Sequence, residues 1–343
     1  MRSGSQSEVD ALRIPTRNGR TAQMSDGSQR FSGEVWRIHE FGTPDVMKLE
    51  ELEVSTPETD EAIVRVHAAG VGPWDGWIRS GNSALPQPLP LILGSDISGA
   101  IVAVGRGVDH LQIGDQVYGV TNKRFCGGYA QYAIAKASML DKKPPSIDHV
   151  AAASLPVIAV TAWQALFDQA GLVQGQTVLI HGAGGNVGAF AVQFAKHAGL
   201  NSICTASSED IERVRSLGAG RVIDYTATRF EEEVHDVDAV MDFVGGESQT
   251  RSFNVLKRGG ALISAVSRPD QALAERHGVT ARFFLVDVST ESLRRISTLI
   301  HENALEVNVG VKVPFEQARD AHLMLEGQLP RPKGKIVLVV DPT

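Results

Sequence analysis

Two arrangements of apolar and polar positions divide this chain. Between residues 34 and 155, short β-like runs at 35–39, 62–68, 97–104, 116–120 and 129–134 alternate with glycine and proline. Strands at that spacing predict a compact, β-barrel-like unit. Pro144-Pro145 and an apolar stretch at 150–155 then lead into a helical segment over 159–170. From residue 176 the pattern alternates strand with helix, the mark of a parallel sheet covered on both faces. Strands are expected at 177–181, 202–205, 221–224, 239–243, 261–265 and 281–286, with helices at 187–198, 210–217, 248–255 and 290–301. Gly199 and Gly218 stand where helices should end. The run at 335–340 reads as a last strand returning to the first unit.

The first thirty residues are rich in Ser, Gly, Arg, Gln and Asn and show no apolar period. They lack the hydrophobic stretch of a secretory signal, and Glu8 and Asp10 argue against a transit peptide. A disordered extension over 1–30 is predicted, with the cytoplasm as the expected location. The rest is ordinary for a globular chain of 343 residues, with 43% apolar and 21% charged positions. That length accommodates two domains. A net charge of -7 argues against a nucleic acid or an anionic membrane as partner. No apolar run reaches the ~18 residues of a membrane span. Cys126 and Cys204, the only two cysteines, cannot build a disulfide framework or a four-cysteine zinc site. The histidines, His181 beside the glycine turn included, show no metal-ligand spacing and receive no catalytic role.

The most informative stretch is 178–199. An apolar run, Val178-Leu-Ile180, breaks into His181-Gly-Ala-Gly-Gly-Asn-Val-Gly188 and then an apolar helix. Ala183, Gly185 and Gly188 take the three small-residue places of a G-x-G-x-x-G fingerprint, with alanine first. Gly185 lets the backbone approach a pyrophosphate, and Gly188 lets the helix sit close on the strand. A dinucleotide site is therefore predicted, with the diphosphate at the helix N-terminus.

A site for NAD carries Asp or Glu at the end of the second strand, about 20 residues on, to bond the ribose hydroxyls. That place falls on Thr205, followed by the uncharged Ala206-Ser207-Ser208. Ser207 and Ser208 can donate to a 2′-phosphate, and Arg213 or Arg215 can supply positive charge. NADP(H) is thus preferred over NAD. Against this, Ser207 and Asp210 also form a plausible helix-capping pair, an exposed arginine is commonly just solvated, and Glu209 can fold toward the ribose.

Taken together, Gly70-Val-Gly-Pro-Trp-Asp75, Leu93-Gly-Ser-Asp-Ile-Ser-Gly99, Gly114-Asp-Gln-Val-Tyr-Gly119, Gly127-Gly-Tyr-Ala-Gln-Tyr132, Thr161-Ala-Trp-Gln-Ala-Leu-Phe167, the nucleotide turn, Leu217-Gly-Ala219 and Gly334-Lys-Ile-Val337 form a recognisable set. On these residues the chain resembles the medium-chain dehydrogenase/reductase superfamily, specifically its zinc-free quinone oxidoreductase branch, the zeta-crystallin-like enzymes. The resemblance runs from about Val35 to Val340. It implies an α/β fold in which a GroES-like β-barrel catalytic domain, 31–155 plus 304–343, is split around a Rossmann domain at 156–303.

Zinc-dependent members hold their metal with a cysteine and a histidine at places that here correspond to Gly72 and Ser95. Neither offers a thiolate or an imidazole, and the structural cysteine-rich lobe is missing, so no zinc is expected. Quinone reductases usually carry asparagine at the place of Gly72.

The resemblance also implies cofactor contacts. Thr161 is expected at the carboxamide side of the nicotinamide, with Gly184, Gly185, Asn186 and Val187 along the pyrophosphate. Tyr225 belongs on the phosphate side, and Phe243, Val244 and Gly245 flank the cofactor. Ser264, Ala265, Phe284 and Leu285 close the nicotinamide end, and Lys335 approaches it from the last strand.

Candidate substrate-pocket residues are Trp74, Asp75, Trp77, Asn122, Arg124 and Tyr129. Trp74 and Trp77 suit either an apolar slot for a planar ring or simple domain packing. Arg124 is either a hydrogen-bond donor to an acceptor oxygen or a solvated loop residue, and Asp75 is expected to orient its loop.

Without a Lewis acid, hydride transfer to an already electrophilic acceptor, a quinone or an α,β-unsaturated carbonyl, is the favoured reaction. The alternatives are an enoyl-thioester reductase and a catalytically silent, cofactor-binding crystallin-like protein. The apolar Ala281-Arg-Phe-Phe-Leu-Val286 run, expected at a sheet edge, predicts a homodimer.

Overall fold

The computed structural model describes residues 30–341, so the extension expected over 1–30 lies outside the described residues except for Arg30. The first unit begins with β1 (Phe31–Ile38), β2 (Lys48–Val54) and β3 (Glu61–Val71), followed by helix α1 (Pro73–Arg79). Next come β4 (Leu91–Ile92), β5 (Asp96–Val104), β6 (Gln116–Val120), β7 (Tyr132–Lys136) and β8 (Leu140–Lys142), then α2 (His149–Ala153). β1 pairs antiparallel with β2 and β4, while β3, β5, β6 and β8 follow one another in an antiparallel sheet, with β7 on β3. β3 reads as a nearly unbroken apolar run because it is buried along almost its whole length between β5 and its other neighbours. β2 was not expected. Its Lys48, Glu50, Glu51 and Glu53 mask the alternation, and such charges suit an edge strand that must not pair with another chain.

The second unit opens with α3 (Pro156–Trp163), which runs on into a π-helical turn, Gln164–Gln169. This helix starts earlier than the sequence pattern suggests because Pro156 occupies its first turn, where a missing N–H costs nothing. Then follow β9 (Thr177–His181), α4 (Asn186–His197), β10 (Asn201–Ala206), α5 (Ile211–Ser216), β11 (Arg221–Asp224), β12 (Val237–Asp242), α6 (Gly246–Ser252), β13 (Leu256–Ser264), α7 (Gln271–His277), β14 (Thr280–Phe283) and α8 (Thr290–His301). The six strands are all parallel, in the order β11-β10-β9-β12-β13-β14. The winding direction reverses at β9, which lies between β10 and β12, and a crevice opens at the carboxyl ends there. β14 is an outermost strand but ends at Phe283, short of the expected 286. α7 lies outside the expected helices, although Asp270 caps its start and Gly278 ends it at φ +66°.

The chain then returns to the first unit through β15 (Val309–Pro314), α9 (Ala318–Leu325) and β16 (Lys335–Val339). β16 pairs antiparallel with β3, so the larger sheet of the first unit is completed by the end of the chain. The architecture is α/β: a barrel-like antiparallel unit joined to a doubly wound parallel sheet.

One apolar core lies between the parallel sheet and α3, α4 and α8, and another fills the strand unit. Trp74 and Phe125 pack against both, which places them at the junction of the units. Tyr118 fixes that junction, its hydroxyl donating to Leu293 O at 2.6 Å and lying 2.9 Å from Ser297 Oγ.

Candidate active site

The glycine turn is built as its sequence requires. Gly182 leaves β9 with φ +70°, a conformation side chains disfavour. α4 starts directly after Gly185, and no side chain caps it, so its first amides are open to an anion. At Gly188 a Cβ would fall under 3.0 Å from Gly182 O and Ala183 Cα. The helix can therefore approach the turn only with glycine there. This cradle fits a dinucleotide diphosphate.

In front of the turn lies a pocket of about 410 Å³ at the carboxyl ends of β9, β10 and β12. Gly184, Gly185, Thr205, Ser207, Tyr225 and Val244 line it, together with Asp210, Phe230, Glu247 and Arg251. His181 forms its back wall, buried between Thr205 Oγ1 at 3.0 Å and Ser252 Oγ at 2.9 Å. Burial pushes this imidazole down to about 4, so it is neutral at ordinary pH. The far side is held by Asp242 at the end of β12. Its carboxylate is fully buried and accepts from Val244 N (3.1 Å), Gly245 N (2.8 Å), Gln249 Nε2 (2.8 Å) and Ser264 Oγ (2.8 Å). These bonds fix the backbone of the 243–245 turn where it faces Gly182.

A second cluster forms at the junction of the units. Asp75, buried in the first turn of α1, accepts from Gly72 N at 2.8 Å and from the Tyr129 hydroxyl at 3.0 Å. Burial pushes its carboxyl up to about 7, against the opposing pull of the Gly72 amide and Lys335. The Trp74 indole donates to Ser95 Oγ at 3.3 Å and has Lys335 Nζ 4.2 Å from its ring centre. Lys335 is itself buried and pairs with the buried Asp96 at 3.0 Å.

Comparison with known proteins gives this geometry a family. The model described as "Alcohol dehydrogenase GroES-like domain" matches residues 58–145, and that described as "Zinc-binding dehydrogenase" matches 217–338. The chain is 31% identical over 331 residues to the chloroplastic NADPH-dependent alkenal/one oxidoreductase of Arabidopsis thaliana, covering 93% of this chain and 82% of that protein. It is similar to the solved quinone oxidoreductase of Coxiella burnetii, with a TM-score of 0.81 at 32% identity. It is similar also to the Escherichia coli quinone oxidoreductase complexed with NADPH, at 0.79 and 26%. Each of these two comparisons covers 90% of this chain and 100% of the other. The chain belongs to the medium-chain dehydrogenase/reductase superfamily. It is an oxidoreductase.

The two places where the resemblance leads one to expect no zinc ligand, Gly72 and Ser95, both meet the Trp74 indole. Gly72 has no side chain, and the Ser95 hydroxyl is engaged by the Trp74 indole. Of the substrate-pocket candidates, Trp74, Asp75 and Tyr129 meet at the junction. Trp77, on α1, is 50% exposed. Asn122 ties its own loop, donating to Cys126 O at 2.7 Å and accepting from Arg124 N at 2.9 Å, and Arg124 is exposed.

The expected cofactor residues divide likewise. Thr161 donates to Val157 O one turn back in α3, at 2.6 Å. Asn186 borders, with Arg213, a separate crevice beside α4, and Arg213 donates to Gly184 O at 3.0 Å. Ser208 is tied to Asp224 Oδ2 at 2.6 Å, and Ser207 to Asp210 Oδ2 at 3.0 Å. Val187 packs against the core beneath the parallel sheet, as does Phe243. Phe284 is buried beyond the end of β14, and Leu285 is exposed. Ala183 is buried in the turn itself.

The sequence marks Asp210 as a cap, yet its carboxyl lies against the glycine turn and lines the pocket. Glu209, the acid expected to compete there, is largely exposed. Phe230, Glu247 and Arg251 were not anticipated. Glu247 and Arg251 carried a usable signal, since both lie in the helix directly after a strand end at the switch point.

Proposed function

We propose that the chain is an NADPH-dependent reductase of quinones or α,β-unsaturated carbonyls that works without zinc. The observation that carries this reading is the pocket at the switch point. It pairs an uncapped helix N-terminus with a second strand that closes on Thr205-Ala206 rather than on an acid. Two relatives support the nucleotide: one is named for its NADPH dependence, and another was solved with NADPH.

In this reading Gly184, Gly185 and the first amides of α4 receive the diphosphate, while Thr205, Ser207 and Tyr225 face the adenosine ribose. Val244, Ser264, Thr161 and Phe284 belong to the nicotinamide end, toward Trp74 and Lys335. The bound nicotinamide supplies the hydride. The chain's own part is to orient the reactants and exclude water between the two units. Gly72 offers no ligand atom and Ser95 is already bonded, so the polarisation a metal gives a carbonyl must come from the acceptor's own conjugation. Quinones and enones have it; simple ketones do not.

In the same reading the protein is a homodimer joined through the 281–286 edge, which begins in β14 and runs past its end, so that the half-exposed Leu285 lies at the contact. A monomeric mass at micromolar concentration contradicts that assembly. The activity is tested by following NADPH absorbance with a quinone, an enone and an enoyl thioester in parallel. Oxidation with the first two is expected. Tight NADPH binding with no oxidation by any acceptor overturns the reading, and oxidation by the thioester alone redirects it.

A further inference from the structure

Lys333 lies in the segment leading back into β16, so it belongs to the strand unit. Its ammonium nevertheless reaches the parallel-sheet unit, 3.0 Å from Asp210 Oδ1 and 3.1 Å from Glu209 Oε2. The two acids differ in setting. The Glu209 side chain is 82% exposed, whereas that of Asp210 is 14% exposed and lines the dinucleotide pocket. The Asp210 carboxyl also lies against the glycine turn, where a Cβ on Gly184 would stand 2.7 Å from its Cγ and Oδ2. Its Oδ2 accepts from Ser207 Oγ at 3.0 Å.

These two charges act oppositely on the ligand the pocket would take. A carboxylate beside the adenosine ribose repels a 2′-phosphate and accepts from a free 2′-hydroxyl. An ammonium at the same place attracts the phosphate. Two other cations near the pocket are already engaged: Arg213 donates to Gly184 O at 3.0 Å, and Arg251 pairs with Glu231 at 3.0 Å. Among the described residues Lys333 is held by these two carboxylates, on a flexible four-carbon stem and half-exposed.

We propose that the Lys333–Asp210 pair sets the choice of cofactor: Lys333, supplied across the unit boundary, binds the 2′-phosphate of the adenosine ribose, and Asp210 is the carboxylate that competes for it. The proposal rests on the NADPH reading above and adds the residue pair that decides it. A phosphate arriving at the pocket exchanges one charge-assisted contact of Lys333 for another. A ribose without phosphate leaves the pair intact.

The test is calorimetric titration of the full-length chain with adenosine 2′,5′-diphosphate and with 5′-AMP, which differ only in the 2′-phosphate. Wild type is expected to prefer the diphosphate by about tenfold or more, as one charge-assisted contact implies. Lys333→Met should abolish most of that preference, through weaker binding of the diphosphate, while 5′-AMP, which the freed Asp210 carboxylate can still accept from, should bind no more weakly than to wild type. Lys333→Arg should restore the preference, and Asp210→Asn should increase it. Added salt should shrink it in wild type and not in Lys333→Met. A preference that survives Lys333→Met overturns this proposal alone. No preference in wild type overturns both it and the NADPH reading.

Discussion

The indole of Trp74 lies directly over Gly72. A Cβ at position 72 would fall under 3.0 Å from Cη2, Cζ2 and Cζ3 of the ring. The same indole is bonded to Ser95 and has the Lys335 ammonium 4.2 Å from its ring centre. Glycine at 72 and tryptophan at 74 are therefore one feature. The ring packs against Gly72 and bonds Ser95, the two places where the resemblance leads one to look for metal ligands.

Gly72→Ala forces this ring to move, and overpacking of that kind costs about 1–3 kcal/mol. In denaturant melts, Gly72→Ala should be destabilised by that amount, while Gly72→Ala in a Trp74→Ala background should cost much less. Equal costs in both backgrounds would mean that the ring and the glycine are not coupled.

Gly188→Ala places a methyl against the backbone of Gly182 and Ala183, which cannot rotate away. The start of α4 must then shift from the turn. NADPH affinity is expected to fall about tenfold or more, with a stability loss of about 1–3 kcal/mol. Unchanged affinity by fluorescence titration would remove the turn from the binding site.

Asp96→Asn leaves the Lys335 ammonium buried beside an uncharged amide. Breaking a buried pair from one side costs about 3–5 kcal/mol. A double change to apolar residues, Asp96→Leu with Lys335→Met, should recover part of that loss in the same melts. A loss under about 1 kcal/mol for the single variant would show the pair to be solvent-relaxed.

Buried titrating groups give stability two opposing pH dependences. Asp75 is pushed up to about 7 by burial, whereas an unfolded aspartate titrates near 4. Between these values the folded chain holds a proton the unfolded chain has lost, so this contribution is full at low pH and disappears as pH rises to about 7. Burial pushes His181 and His149 down to about 4 and, with the Arg79 charge beside it, His322 down to about 3. Their contribution is full above about 6.5 and lost as pH falls below it. Asp75→Asn keeps an acceptor for Gly72 N and the Tyr129 hydroxyl but has no proton to lose. Relative to wild type, it should be more stable at pH 8 than at pH 5 by a few kcal/mol in urea melts. No difference between the two pH values would place Asp75 at an ordinary carboxylate pKa.

Much of this was legible in the sequence because it depends on local pattern. The strand-turn-helix around 182–188 and the alternation that follows it need only neighbours in the chain. Thr205 could be found by counting from Leu217-Gly-Ala219. Other features depend on distant partners. β2 looks like a charged loop because an edge strand needs few apolar residues. The 257–260 segment, Lys-Arg-Gly-Gly, has no apolar pattern, yet β13 runs through it, with a register shift against β12 at that place. Asp210 looks like a cap until Lys333, far along the chain, is folded against it. Trp77 and Trp74 are equivalent in sequence, and only the packing of α1 decides that one faces the junction and the other solvent.

The most direct test is a single-turnover reaction of chelator-treated protein with an enone and NADPH deuterated at the transferring C4 position. Retained activity, a primary isotope effect on NADPH oxidation and deuterium on the reduced carbon of the acceptor are expected. Activity that vanishes on chelation and returns with zinc, or an acceptor reduced without deuterium, would contradict metal-free hydride transfer at this site.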